Sequence, residues 1–526
     1  MQPLHEQLRQ HARTQPEKPA FIWYGTAIIY AELNRASDAF AAHLQGLGIL
    51  QGEPVALFMN NCPQYVIAHF GIQKIGAIVC PCGPLNKEHE LAYQLNDLQA
   101  RVIVAASNLL PIVNQVREGS ALEHVFGVRY TDFLPAQPAL DIPAELLAMA
   151  TLSRELPEGV ADFLVAIAGS VQPQPTPIDV DDTALMTYTS GTTGLPKGAM
   201  LSYRNASYKT AMAAACSGGT KDDVLLAVAP LYHIAGMVMG MNIVIHTGAT
   251  CVLLFRFDPL AVLQAISRYR ISWWYSIAPM NMAIMQLPVA RETDLSSLRL
   301  NQVTSFGITF TEEIAQRWHS FAPNCVACEA SYGLSETHTV DTVMPLDAIR
   351  WGTHGKAIPG NEIRIIDPDT GQQCAAGISG EIVLRSPGVF KGYWNNPQAS
   401  AQTLRDGWVY TGDIGKIDSD GYLTFLGRFK EMIKVSGYSV FPEEVEGILM
   451  RHPAIAQVAV VGIPDADKGE IIKACIVLKP GHTAEPAAIS AWSREHMANY
   501  KVPRQVEILT SLPSTGAGKV LRRLLK

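Results

Sequence analysis

Directly after the apolar run ALMTY the chain reads Thr189, Ser190, Gly191, Thr192, Thr193, Gly194, Leu195, Pro196, Lys197, Gly198. Glycines permit a tight backbone turn, hydroxyls donate hydrogen bonds and a lysine adds positive charge, which together suit a loop that holds phosphate oxygens. It is not a Walker loop, because Pro196 stands five positions after Gly191, where that loop has its second glycine. A second cluster runs from Glu329 to Thr337. Within it Glu336 is a hard oxygen ligand for a divalent cation, Ser335 a hydrogen-bond donor to phosphate, and Tyr332 a ring able to stack on a base. Taken alone, the same residues serve equally as a helix start or as packed core. Lys519 follows Gly516 and Gly518 near the C-terminus and offers charge to a phosphoryl group that the glycines would let come close. Cys325 and Cys328 have metal-like spacing, but no second cysteine pair or nearby Cys/His set supports them, so buried or incidental thiols are expected.

These residues need a scaffold, and the patterning supplies one. From Tyr30 to Ala100 the helix-like segment YAELNRASDAFAAHLQGL alternates with the apolar runs PVALFM and GAIVCPCG, followed by RVIVAA, ALMTYT, VLLAVAP and ATCVLL. That rhythm predicts an α/β fold of mostly parallel sheets covered by helices. The proline-bearing stretch from about Pro135 to Pro177 reads as a surface connection between lobes. From about residue 363 to 429, short strand-like runs separated by Asp-Gly and Pro-Gly turns predict a β-rich lobe. Residues 430–526 form a smaller α+β unit of domain size, with PEEVEGILMRHP and AAISAWSREHMANY helical and IAQVAVVGIP and EIIKACIVLKP strand-like. The expected division is thus 1–429 and 430–526, with an amphipathic helix opening the chain.

Composition limits the function classes. A chain of 526 residues with 48% hydrophobic content holds two or three domains. Forty-one Lys and Arg against 48 Asp and Glu, a formal net charge of -7, provide no field for nucleic acid or an acidic membrane, so any phosphate chemistry must be local. Nine scattered cysteines are unlike a disulfide framework and predict a reducing, cytoplasmic setting. The polar N-terminus lacks the apolar core of a signal peptide, and the run ISWWYSIAPMNMAIMQLPVA, broken by polar groups and two prolines, is no bilayer span.

The stretch from Tyr188 to Gly198 resembles the signature loop of the adenylate-forming superfamily, whose Ser/Thr/Gly-rich loop ends in Pro-Lys-Gly. The likeness covers essentially the whole chain and is most specific for the acyl-CoA synthetase branch. The family pattern Tyr-Gly-x-Thr-Glu falls on Tyr332 to Glu336, with Ser335 replacing threonine but keeping a hydroxyl. It implies Tyr332 beside adenine and Glu336 on Mg2+. Gly307, Ile308 and Thr309, a looser match, fall where the family places a wall along nucleotide and acyl group. Tyr410 to Asp413 resembles the ribose-binding motif. A carboxylate accepts both ribose hydroxyls, although Asp413 alone also fits an Asx-like turn beside Gly412. Arg428 is implied near ribose or phosphate, Lys430 as the domain hinge, Gly437 at a pantetheine tunnel, and Lys519 as the adenylation lysine.

The resemblance implies a mobile C-terminal domain and a two-step reaction using ATP, Mg2+ and CoA. An acid carboxylate attacks the α-phosphate to give acyl-adenylate and pyrophosphate, and a thiol then displaces AMP. Lys519, Glu336 and Lys197 are the implied catalytic residues. Thr189, Ser190, Gly191, Thr192, Thr193, Gly194 and Lys197 are the implied phosphate loop. His233, in Pro230 to Met237, either orients the acyl carboxylate or gates the thiol tunnel, or else has a packing or hydrogen-bond role; Met237 joins it at the expected acyl site. Trp273, Trp274, Tyr275, Met280, Met282 and Met285 are apolar walls for an organic acid or simply core. The expected substrate is a fatty or other hydrophobic acid, with aromatic and carnitine-like acids open. The alternatives are transfer to a carrier-protein thiol, which an attached carrier domain would favour over this sequence ending shortly after Lys519, luciferase-like oxygenation, and a non-enzymatic acyl-nucleotide sensor. A homodimer is an open expectation, since closed two-fold assemblies are common.

Overall fold

The apolar runs between Pro54 and Ala106 are too short and too β-branched for buried helices, and in the computed structural model they become adjacent parallel strands. The structure describes residues 2–151, 155–189, 195–305, 308–435, 438–465, 469–515 and 520–526. Two seven-stranded sheets dominate it. The first runs in spatial order Val160–Asp162, His124–Val128, Val102–Ala106, Pro54–Phe58, Ile78–Cys82, Thr183–Thr189, Lys197–Ser202, parallel but for its last pair. The second runs Val326–Glu329, Leu300–Thr304, Trp273–Ile277, Val224–Ala227, Thr250–Leu253, Pro19–Trp23, Thr26–Ile29, again parallel but for the last pair. Every residue of the helix Pro63–Lys74 is buried. Two of its polar side chains find partners: Gln64 donates to the Arg129 carbonyl at 2.9 Å, and the Lys74 ammonium meets Asp38 at 2.7 Å.

The stretch from Pro135 to Pro177 corrects the expectation of a plain surface connection. It contributes the edge strand Val160–Asp162 and the helix Phe163–Ile167, whose Phe163 lies 4.9 Å from the Phe40 ring on the helix Tyr30–Gly46. A few apolar residues in DFLVAI suffice to dock it despite the surrounding prolines. Among the described residues no helix is long and apolar enough to cross a membrane.

The β-rich lobe is a five-stranded antiparallel sheet in which Trp408–Ile417 is flanked by Gly380–Arg385 and Leu423–Arg428. Beyond the 3-10 turn Phe429–Glu431, a second sheet carries its own core of Ile433, Val440, Val445, Leu449, Val460, Ile476 and Ile489. A large N-terminal domain and a small C-terminal one follow from these separate cores. Arg522 ties the small domain together: its guanidinium reaches Glu431 at 2.5 Å, Glu443 at 2.8 Å and Glu446 at 2.9 Å. Burial pushes the Glu446 carboxyl up to about 7 against the opposing pull of Arg522. Truncating this cation strands three partly buried carboxylates, at a cost of about 1–3 kcal/mol. Arg522→Ala should therefore make residues 430–526 of the full chain far more sensitive to limited proteolysis while the large domain resists, and equal resistance of both would refute this.

Candidate active site

The strand Thr183–Thr189 and its antiparallel partner Lys197–Ser202 pair Thr189 with Lys197, which stand opposite each other where the glycine-rich loop leaves and rejoins the sheet. Ser190, Gly191, Thr192, Thr193 and Gly194 lie outside the described residues. The loop is fastened at its end: Tyr93 donates to the Pro196 carbonyl at 2.8 Å, and the Trp394 amide to the Gly198 carbonyl at 2.7 Å. The Lys197 ammonium sits 4.4 Å above the ring of Tyr393, whose hydroxyl donates to Glu336 Oε1 at 2.8 Å. Burial and the Glu336 charge raise the Tyr393 pKa, so the phenol stays a donor. Lys197 and Glu336, distant in sequence, thus share one tyrosine.

Asp413 lies within the strand Trp408–Ile417, directly across from Arg428. Its buried carboxylate accepts from Tyr332 at 2.8 Å and faces the Arg428 guanidinium at 3.4 Å. Gly412, at φ +69°, is the left-handed residue that turns the strand before it. Burial, then the Asp413 charge, raises the Tyr332 pKa well above its ordinary value, which keeps the hydroxyl proton on the phenol.

Glu336 is carried on an unusual turn. Ser335–Thr337 form one 3-10 turn, after which His338, Thr339 and Val340 all take left-handed backbone, at φ 58°, 57° and 49°. Such residues cost about 1–3 kcal/mol each, and a β-branched valine is among the worst suited. A buried ion pair beneath holds them. Lys209, from the helix Tyr203–Cys216, contacts the Asp341 carboxylate and donates to the Val340 carbonyl at 3.2 Å. Thr337 donates to the other Asp341 oxygen, and Asn361 adds a bond to the first at 3.1 Å. Gly333 is required because a Cβ there would lie 2.5 Å from the Val340 nitrogen.

The upstream wall begins at Ser305, which gives its amide to Glu329 Oε1 at 3.2 Å and its hydroxyl to Oε2, so one carboxyl joins the two loops. Burial pushes Glu329 up to about 7. Ile308 is buried and Thr309 exposed, while Gly307 lies outside the described residues. Ser335 is partly exposed on the turn beside Glu336. Behind these loops is a small cavity lined by Met239, Tyr275, Gln302, Ala330 and Val340 among others. Met237 is fully buried and does not line it. His233 accepts from the Ala235 amide at 3.4 Å, capping the short helix Ile234–Met237. A π-helical turn, Val238–Asn242, follows and carries Met239 to the cavity. Of the proposed apolar walls only Tyr275 lines it. Trp273 and Trp274 are core, because strand alternation and the packing of Trp274 on Trp318 enclose them, and Met280, Met282 and Met285 lie elsewhere.

Lys430 falls in the turn between the two domains. Gly437 and Lys519 lie outside the described residues, but Val435 pairs with Tyr438 and Ser514 bridges Val520 on either side of them. Sequence reading missed Tyr393, Glu329, Lys209 and Asp341. The available signal was a polar residue inside an apolar strand or helix, visible for Glu329 in VACE and for Lys209.

The donor set suits magnesium. Glu336 is a single hard carboxylate, and among the described residues no group of three His, Cys, Asp or Glu gathers to hold an ion unaided. Mg2+ takes one or two carboxylates and completes its shell with substrate phosphates and water.

Residues 8–394 match the family described as AMP-binding enzyme, and residues 444–519 match the AMP-binding enzyme C-terminal domain. A long-chain-fatty-acid–CoA ligase of Bacillus subtilis is 32% identical over 520 residues, spanning 97% of this chain and 91% of that protein. A feruloyl-CoA synthase of an Amycolatopsis species is 33% identical over 519 residues, 98% of this chain and 96% of that protein. ATP-bound MatB from Rhodopseudomonas palustris superposes with a TM-score of 0.86 at 27% identity, covering 100% of this chain and 98% of that one.

Two outcomes are expected at this site. Lys209→Met leaves Asp341 buried without its cation and should lower stability in denaturant by about 3–5 kcal/mol, much of it recovered in Lys209→Met with Asp341→Leu. The Glu329 carboxyl, raised in the fold from 4.5 to about 7, contributes stability that is present below pH 4.5 and is lost as pH rises through about 7. Glu329→Gln should therefore shrink the fall in unfolding free energy between about pH 5 and about pH 8 by roughly 2–3 kcal/mol. An unchanged pH profile would contradict the assignment.

Proposed function

The chain belongs to the AMP-binding enzyme family as an acyl-CoA synthetase, and we propose that it joins a fatty or other hydrophobic organic acid to CoA through an acyl-adenylate. ATP with Mg2+, and CoA, are its co-substrates. The observation that carries the assignment of residues is the convergence of separate motifs: Lys197 and Glu336 meet on Tyr393, and Tyr332 meets Arg428 on Asp413.

In the proposed first step an acid oxygen bonds to the ATP α-phosphorus and the bond to pyrophosphate breaks. Thr189, Lys197 and the loop between them hold phosphate oxygens, Asp413 accepts the ribose hydroxyls, and Arg428 orients that carboxylate. Tyr332 and the wall of Gly307, Ile308 and Thr309 border the nucleotide, while Ser335 offers its hydroxyl to phosphate. Lys519 offsets charge on the transferring group. Glu336, fixed by Tyr393, would hold Mg2+, which when bound neutralises phosphate charge. In the second step the CoA sulfur bonds to the acyl carbon and the carbon–oxygen bond to AMP breaks. Residues 430–526, turning about Lys430 against the 1–429 adenylation domain, exchange Lys519 for Gly437, whose missing side chain leaves room for pantetheine. His233 stands on the acyl side, where Met239 rather than the buried Met237 lines the cavity.

The test is ATP-dependent product formation across short, medium and long fatty acids plus aromatic and carnitine-like acids, with CoA present or omitted and adenylate and thioester detected by mass. CoA-dependent thioester is the expected result, whereas adenylate that never reaches CoA would redirect the reading to a carrier-protein thiol. Lys519→Ala should slow adenylate formation by about 10²–10³-fold yet leave thioester formation from supplied acyl-adenylate nearly intact. Equal loss of both half-reactions would remove Lys519 from the first step.

A further inference from the structure

The cavity behind the Glu336 turn holds one buried polar group whose orientation is fixed. Gln302, in the strand Leu300–Thr304, is buried to 2% exposure and lines the cavity. Its Oε1 accepts the Trp273 indole N–H at 3.0 Å and the Ser217 hydroxyl at 3.3 Å. An indole nitrogen only donates, so the atom facing it must be the amide oxygen and the amide cannot be turned round. The amide nitrogen therefore points its two hydrogens away from Trp273, and no acceptor among the described residues takes a bond from it. The rest of the lining is largely apolar, with Ala213, Met239, Ala330 and Val340, and the space admits about one water molecule.

A donor held in one orientation in a largely apolar lining, with no protein acceptor, favours a ligand that brings one. We infer that Gln302 is a specificity-determining residue, and that the acid is compact, with an ether, carbonyl or hydroxyl oxygen on its tail to accept from Gln302 Nε2. Unsubstituted long-chain acids bury the amide against methylenes and are disfavoured. Ser217, already donating to Gln302, keeps lone pairs that can accept from a hydroxylated tail. This inference deepens the ligase reading and rests on it.

The experiment compares matched acids that differ only in the distal oxygen: phenylpropenoic acid with and without a para-methoxy group, and medium-chain acids with and without a distal keto group, beside unsubstituted long-chain acids. Thioester formation is followed with ATP and CoA. The native enzyme should favour the oxygen-bearing member of each pair by about tenfold or more in kcat/KM. Gln302→Met, which keeps side-chain length but leaves the Trp273 indole without its acceptor, should lower kcat/KM for that member about 10–100-fold more than for its partner. Gln302→Glu retains the acceptor for Trp273 and Ser217 while removing the N–H donors, so it should lose the methoxy and keto acids yet still accept hydroxylated ones. Equal loss for both members of a pair, or a native preference for unsubstituted long-chain acids, would overturn the inference while leaving the ligase reading intact. No thioester from any acid would overturn that reading and the inference with it.

Discussion

The hydrogen bond from Tyr332 to Asp413 is the joint on which the site depends. Tyr332 belongs to the loop that leaves the parallel sheet, and Asp413 to the antiparallel lobe, so one buried contact fixes two differently built layers against each other. Burying a carboxylate is costly unless it is paired and hydrogen-bonded, and here the phenol and Arg428 supply both. The bond from Tyr393 to Glu336 repeats the arrangement a few residues on, again crossing from one lobe to the other. With both in place, a carboxylate suited to ribose and one suited to a cation are held on a single loop-bounded surface.

The turn between them is strained, and the strain has a location. Three successive left-handed residues follow Glu336, which faces Tyr393, and bring Val340 into the lining of the small cavity. The buried Lys209–Asp341 pair, with Thr337 and Asn361, replaces the local stability that this backbone forfeits. Such a pair is weak evidence of stability in itself, since desolvation opposes its attraction. Its value here is positional, because it binds the carbonyl and side chain of the residues that end the turn. Shape at the cavity and position of Glu336 are therefore set by the same few bonds.

The α/β rhythm, the β-rich lobe and the small C-terminal unit were legible because strand and helix periods are local properties of the chain. The segment from Pro135 to Pro177 was misread for the same reason: its prolines are local, whereas the docking of Phe163 on Phe40 is not. At the site, residues grouped by sequence were readable, as with Lys197, Tyr332, Glu336, Asp413 and Arg428. Tyr393 was not, for nothing near it in sequence announces that its ring will lie under Lys197 and its hydroxyl on Glu336. Trp273 and Trp274 read equally as pocket walls or as core from sequence, and strand geometry decides for core, leaving Tyr275 to line the cavity.

This division has a physical basis in where each group stands on its strand. Thr189, Ser305 and Ala330 sit at or just beyond the carboxyl ends of the strands Thr183–Thr189, Leu300–Thr304 and Val326–Glu329, and His233 follows Val224–Ala227. In parallel sheets that edge is where loops open and ligands bind. Gln302 and Tyr275, by contrast, lie inside strands and are locked by their neighbours: Gln302 by Trp273 and Ser217, Tyr275 by Thr304. The groups assigned to phosphate and ribose thus lie mostly on loops and strand ends, where a second domain can approach and withdraw. Gln302 and Tyr275, inferred to meet the acid, are on strands whose neighbours hold them in place. On the proposed two-step reaction, such a division would let the reacting geometry change between steps while the choice of acid stays constant.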